Sequence, residues 1–381
     1  MDNKSGFMRD AFQKNIRQYT MLFALVAIWV IFTVLTEGIF IRPGNLSNLF
    51  LQTMTVGVVA VGMTLVIVTG NIDLSVGSVA ALAGAVGAYC QVRLGWDTAP
   101  ALVAAVGCGL LIGLWHGFWI AYRMVPSFIV TLASMLIFRG AVLGVTGGTT
   151  IAPLSESFKA LGQSYLDPIV SAAVGIIAIL LFCFFDLRRR FRRVKYSFTV
   201  PSWPLQLLKL ALGAAVMAAF FGILVFNEGV PYSVMLVLVL AVIFHFVSNH
   251  TVFGRHLYAI GGNADAAKLS GINNKKRILQ LFTVFGGVTA LGGLVLTSRL
   301  NAATTSAGQG MELDVIAAVV IGGTSLLGGE GTILGSLVGA LIMASLDNGM
   351  SLLDTNITYQ YVIKGLILLL AVWVDMATRK K

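Results

Sequence analysis

Long apolar runs alternate with short polar joints along the whole chain. Twelve runs stand out, near 19–36, 49–69, 75–93, 99–121, 127–145, 168–186, 205–226, 231–248, 278–298, 313–327, 331–352 and 357–375. As helices, all but the short tenth reach across roughly 30 Å of hydrocarbon. Backbone in lipid must satisfy its own hydrogen bonds, and barrel strands of about ten residues would alternate in polarity, which these runs do not. The pattern predicts an all-α polytopic membrane protein of about 10–12 transmembrane helices.

Composition sharpens this. Of 381 residues, 57% are hydrophobic and 11% charged, against roughly 25% charged in a soluble domain. That excludes a soluble enzyme and a disordered chain. The 42 glycines suit closely packed membrane helices. Cys90, Cys108 and Cys183 lie in apolar runs with neither disulfide nor metal spacing, so they read as small core residues.

The net charge of +10 would raise nucleic acid as a partner in a soluble protein. Here it marks orientation. With the N-terminus inside, segments 1–18, 122–126, 187–204, 249–277 and 376–381 hold 19 of the 26 Lys and Arg, and the outside segments hold Arg42, Arg93, Lys159 and Arg299. This is a strong positive-inside bias, with both termini cytoplasmic and no nucleic-acid role. The run Arg188, Arg189, Arg190, Arg192, Arg193, Lys195 reads as a stop-transfer flank touching anionic headgroups. The expected organisation is a cytoplasmic segment 1–18, one transmembrane domain 19–376 and a tail 377–381. The first apolar run reads as a retained anchor rather than a removed signal peptide.

Two Gly-rich breaks interrupt the pattern, at 69–77 (Thr-Gly-Asn-Ile-Asp-Leu-Ser-Val-Gly) and at 322–332 (Gly-Gly-Thr-Ser-Leu-Leu-Gly-Gly-Glu-Gly-Thr). Each carries hydroxyls and one carboxylate but no Lys or Arg. Each reads either as a broken or re-entrant segment, tolerated at membrane depth only beside protein or water, or as a tight hairpin with Asp73 or Glu330 capping a helix start. Two readings of Asp73 fit: lining for a solute path, or a cap for the following helix. Their mirror placement along the chain weakens the analogy with paired broken helices in transporter repeats. Arg139 reads either as an intramembrane functional cation or as a paired, snorkelling side chain. His116 and His245 read as interfacial. Asp347-Asn348-Gly349 reads as path lining or as the start of a break. No carboxylate ladder of a proton pump runs through the spans.

The chain has no phosphate-binding loop and no soluble stretch beyond about 30 residues, so any ATP must be bound by another chain. No catalytic or metal-ligating constellation is present. In the inside loop 249–277, Asn263 is a good N-cap, 264–270 a short helix and Gly271 its stop. The helix surface is small (Ala264, Ala266, Ala267, Ser270), which suits insertion into a groove on a partner or rest on the bilayer.

Residues 254–272 resemble the cytoplasmic coupling segment of permease subunits of bacterial sugar ABC importers of the ribose/xylose type. So do Gly62-Met63-Thr64-Leu65-Val66-Ile67 through Gly77-Ser78, and Gly308-Gln309-Gly310-Met311-Glu312-Leu313-Asp314 through Gly329. The similarity covers about 45–376. An extra piece near 165–228, with 125–132 and 344–351, looks most like the xylose or multiple-monosaccharide permeases. The resemblance implies a multi-pass protein of the bacterial inner membrane working as a homodimer. Its partners would be an ATP-binding subunit that carries ATP and Mg, and a periplasmic sugar-binding protein. This chain would bind no cofactor itself. It implies coupling through Gly261, Gly262, Asn263, Ala266, Ala267, Ser270 and Gly271. A neutral sugar needs hydroxyl and amide groups, so Asn71, Asp73, Ser75, Thr324, Ser325 and Asn348 are the expected path residues. The alternatives are a branched-chain amino acid permease of the same broad class, an ion-coupled secondary transporter, and a non-transporting scaffold.

Overall fold

The computed structural model describes residues 16–198 and 200–379. Most of the expected N-terminal segment 1–18, and Lys380 and Lys381 of the tail, lie outside the described residues. Among the described residues the chain forms fifteen helices, with β pairing limited to two isolated bridges. The helices are α1 (Ile16–Leu35), α2 (Pro43–Val68), α3 (Val76–Val92), α4 (Thr98–Ala121), α5 (Ser127–Thr146), α6 (Glu156–Gln163), α7 (Pro168–Lys195), α8 (Trp203–Asn227), α9 (Tyr232–His250), α10 (Val252–Gly262), α11 (Ala264–Leu269), α12 (Asn274–Leu300), α13 (Met311–Ile321), α14 (Ile333–Leu352) and α15 (Ile357–Arg379). Among the described residues eight helices are long and apolar enough to cross a membrane, and Thr20–Leu35, Val76–Val92 and Ile357–Trp373 are shorter apolar stretches.

Helix α2 is the axis. It begins with Pro43, whose missing N–H costs nothing in a first turn, and nearly all its later residues are buried. Its neighbour α12 is seamed to α4 by glycines at every fourth position, Gly109, Gly113 and Gly117. A Cβ on Gly113 would lie 2.1 Å from the Phe282 carbonyl oxygen, so the two backbones touch. Small residues at this spacing let membrane helices gain van der Waals contact that lipid cannot supply.

The extra pair α7 and α8 sits at the edge. Only Ser171, Gly175 and Arg190 of α7 are buried. The first half of the expected inside loop 187–204 is instead a continuation of α7 to Lys195. Arg190 stacks on Trp203, 4.2 Å from the ring centroid, and donates to the Pro201 carbonyl (2.6 Å), while Arg188, Arg189, Arg192, Arg193 and Lys195 are exposed.

The largest departure from the expected topology is the tenth span. It is an 11-residue half-helix, α13, at Met311–Ile321. The preceding segment 301–310, expected outside the membrane, folds back into the bundle. Gly293 packs on Ala80, which puts Ala80 about 10 Å short of the end of α12, and Gly77 lies one turn deeper. Gly308 touches Gly77 there: a Cβ on Gly77 would fall 2.0 Å from the Gly308 carbonyl oxygen. The descent is therefore roughly 15 Å. Arg139 holds it, its Nη1 donating to the carbonyls of Thr305 (3.2 Å) and Ala307 (2.9 Å). Of the two readings for Arg139, the paired one describes this geometry. Sequence pattern alone missed the segment because its glycines and small residues sit next to genuine loop.

Candidate functional site: a broken-helix core and its junction

The break at 69–77 climbs from the end of α2 to the buried start of α3. Asp73 is 3% exposed. Its Oδ1 accepts from the backbone N–H (2.8 Å) and hydroxyl (2.6 Å) of Ser75, and its Oδ2 lies 3.6 Å from Nδ1 of His116. Ile72 is tied to α5 at both ends of its peptide group: its N–H donates to Ser127 Oγ, and its carbonyl accepts from Thr131 Oγ1. His116, expected at an interface, is instead 2% exposed, because the carboxylate of Asp73 gives it an internal partner. Asn71 is half-buried and donates to Thr69 Oγ1 (2.9 Å).

Helices α3 and α13 thus both start inside the bundle, side by side, and run in opposite directions. Their positive N-terminal ends converge on Gly77 and Gly308. Acidic groups offset them: Glu312 and Asp314 in the first turn of α13, and Asp73 just before α3. This is the paired, oppositely directed geometry found around solute sites in transporters. The segment that meets 69–77 inside the bundle is 301–310, through Gly308 and Gly77.

The 322–332 hairpin lies instead at the end of the bundle that carries α10 and α11. The Gly329 N–H donates to the Val68 carbonyl (2.8 Å), and the Tyr258 hydroxyl of α10 donates to the Gly331 carbonyl (2.8 Å). Burial raises the Tyr258 pKa, which keeps this donor protonated. A Cβ on Gly261 would sit 1.7 Å from the Val68 oxygen and 2.7 Å from the Gly329 nitrogen. Three backbones therefore meet at one junction. Thr324 and Ser325 are buried in this hairpin, where Ser325 Oγ accepts from the Leu327 N–H.

Beyond the junction stands α11. Asn263 caps it, accepting from the Ala266 N–H (2.9 Å), and Gly271 ends it in a left-handed conformation (φ +84°). Both match the sequence reading. Gly262, Ala266, Ser270 and Gly271 are exposed, but Ala267 points into the protein and is 4% exposed. The outer face is carried by Asp265, Ala266, Lys268 and Leu269, and Leu269 is 90% exposed. A bare leucine at a helix tip is the feature that a small-residue reading overlooked.

The six expected path residues fall in three places in the fold. Asn71, Thr324 and Ser325 belong to the junction end, and Asp73 and Ser75 to the first break. Asn348 is paired with Asn45 of α2 through reciprocal amide bonds of 2.8 and 3.1 Å. Helix α14 runs unbroken through Asp347-Asn348-Gly349, and Gly349 makes room for the ring of Phe32. A separate polar cleft opens between α13 and α15, lined by Gln309, Gly310, Asp314, Gln360, Tyr361 and Lys364. At its edge Lys364 Nζ lies 3.0 Å from Asp314 and 2.9 Å from Asp347. Sequence pattern marked Asp347 as polar within a span, but joined neither it nor Lys364 to Asp314, fifty residues from Lys364.

Comparison with known proteins follows this geometry. Residues 45–372 match the family described as "Branched-chain amino acid transport system / permease component". The chain is 46% identical to the xylose transport system permease protein XylH of Haemophilus influenzae over 367 residues, 96% of this chain and 98% of that protein. The Escherichia coli XylH is equally similar, with 93% of its length covered. The ribose import permease protein RbsC of Escherichia coli is 36% identical over 93% of this chain and 92% of its own. No solved structure matches the chain.

Proposed function

Since this chain belongs to the branched-chain amino acid transport system / permease component family, we propose that it is the membrane subunit of an ATP-driven importer for a monosaccharide, xylose or a close relative, in a bacterial inner membrane. The sugar follows the names of its near full-length relatives, the xylose and ribose permeases. The end bearing α10, α11 and the Arg-rich end of α7 faces the cytoplasm, as the positive-inside bias requires.

The observation that carries the mechanism is the junction. Helix α11 presents Leu269 to a separate ATP-binding subunit, which holds ATP and Mg. Force on α11 passes through Gly261 to the end of α2 and to the 322–332 hairpin, because these backbones are in contact. The first leads into α3 and the second lies between α13 and α14. ATP-driven movement of α10–α11 therefore re-packs both half-helices at once, a rigid-element route to alternating access. Two copies of the chain frame the path, and a periplasmic sugar-binding protein delivers the solute on the far side.

Purification in mild detergent from native membranes tests the partner. The expected result is a stoichiometric ATP-binding subunit that co-purifies with the wild type and is lost in Leu269→Arg, with membrane insertion unchanged. A chain that purifies alone, even after gentle crosslinking, would contradict the reading.

A further inference from the structure

The α13–α15 cleft holds polar groups at a depth where lipid does not tolerate them. Lys364 is seven residues into α15, about 10 Å below its start, and Asp347 is five residues, about 8 Å, from the end of α14. Ionisable groups at such depth face protein or a water-filled cavity. Here they do both. Lys364 is clamped between Asp314 and Asp347, and Lys364 and Asp314 also line the open cleft.

We propose that this cleft is a monosaccharide subsite on the transport path; the assignment rests on the sugar-importer reading above. The cleft offers about 130 Å³, less than the roughly 300–1,000 Å³ of a complete small-molecule site, so it serves as one wall of a site open to the path rather than as an enclosed pocket. Its polar groups converge from two elements. Gln309 stands on the descending segment just before α13, and Gln360 stands on α15. The Gln360 Nε2 donates to the Thr355 carbonyl (2.9 Å), which fixes the amide. Each sugar hydroxyl both donates and accepts. Amides, a carboxylate and an ammonium supply both functions, and Lys364, Asp314 and Asp347 engage much of their charge with one another rather than with the solute. The opposite requirement is a surface for the sugar's C–H face. Leu313, Ala317, Met343 and Leu368 form it, with the Tyr361 ring beside Gly310, where a Cβ would come within 4.0 Å of Cε1. A few placed polar groups on an otherwise apolar wall is the usual make-up of such sites.

The location also suits a path. Gln309 lies next to Gly308, which touches Gly77 at the start of α3, so the cleft borders the point where the two half-helices meet. Movement of α13 alters the cleft directly.

The test uses the whole importer, this chain with its ATP-binding subunit and binding protein, in proteoliposomes. Gln309→Ala and Gln360→Ala avoid the ion cluster and so spare its packing. Uptake of labelled xylose, ribose and arabinose is measured side by side, with co-purification of the ATP-binding subunit as the assembly control. Loss of one hydrogen bond predicts xylose uptake lower by about fivefold, with assembly intact. It also predicts a changed xylose-to-ribose ratio, which a merely structural role would leave unmoved. Uptake within twofold of wild type at an unchanged ratio in both variants would overturn the subsite. A wild-type importer that moves no monosaccharide would overturn the sugar reading, and the subsite with it.

Discussion

At the residue scale, Asp73 shows how a sequence signal with two meanings acquires a geometry. Its carboxylate is occupied by Ser75 and His116, so its removal leaves buried donors and an imidazole without partners. Asp73→Ala is expected to lower stability by about 1–3 kcal/mol. Asp73→Asn retains an oxygen for the Ser75 N–H and should cost less. Thermal unfolding of the two variants in detergent separates them, and equal losses would contradict the Asp73–Ser75 turn. Asn348 makes the opposite case. Its amide is spent on Asn45, and pairs of this kind inside membrane bundles are worth about 0.6 kcal/mol on average. Asn348→Ala should therefore destabilise slightly and leave uptake within about twofold. A larger loss of uptake with normal stability would return Asn348 to the path.

At the scale of elements, the apolar runs were legible because a membrane imposes one length and one polarity on each helix. The caps were legible for a similar reason: Asn263 and Gly271 act through local backbone geometry, which a short window of sequence contains. The fold-back of 301–310 was not. It depends on Arg139 and Gly77, partners far away in the chain, and no local pattern encodes them. The inward turn of Ala267 and the exposure of Leu269 depend likewise on how α11 leans on its neighbours. The α4–α12 seam yields a direct prediction. Gly113→Ala places a methyl against the Phe282 carbonyl and should cost about 1–3 kcal/mol, read as a lower unfolding temperature. Alanine at Gly107, which meets nothing within 4 Å, is the control and should leave that temperature unchanged.

At the scale of the molecule, the proposed mechanism treats the chain as a lever arm joined to two half-helices. The lever is α10–α11, its fulcrum is the contact of Gly261 with Val68 and Gly329, and its load is the pair α3 and α13. The sequence carries no phosphate-binding loop, and in the proposed importer the motor is a partner chain. The Arg-rich end of α7 and the edge position of α7–α8 leave that pair outside the lever, and the structure assigns it no part in the motion. The central claim is that ATP, hydrolysed on a partner and delivered through α11, drives monosaccharide uptake. The most direct measurement is uptake of labelled xylose into proteoliposomes that contain the chain, its ATP-binding subunit and the loaded binding protein. The account predicts uptake that requires ATP, ignores imposed ion gradients and disappears in Leu269→Arg. Uptake by the chain alone, driven by a proton or sodium gradient and indifferent to ATP, would contradict it.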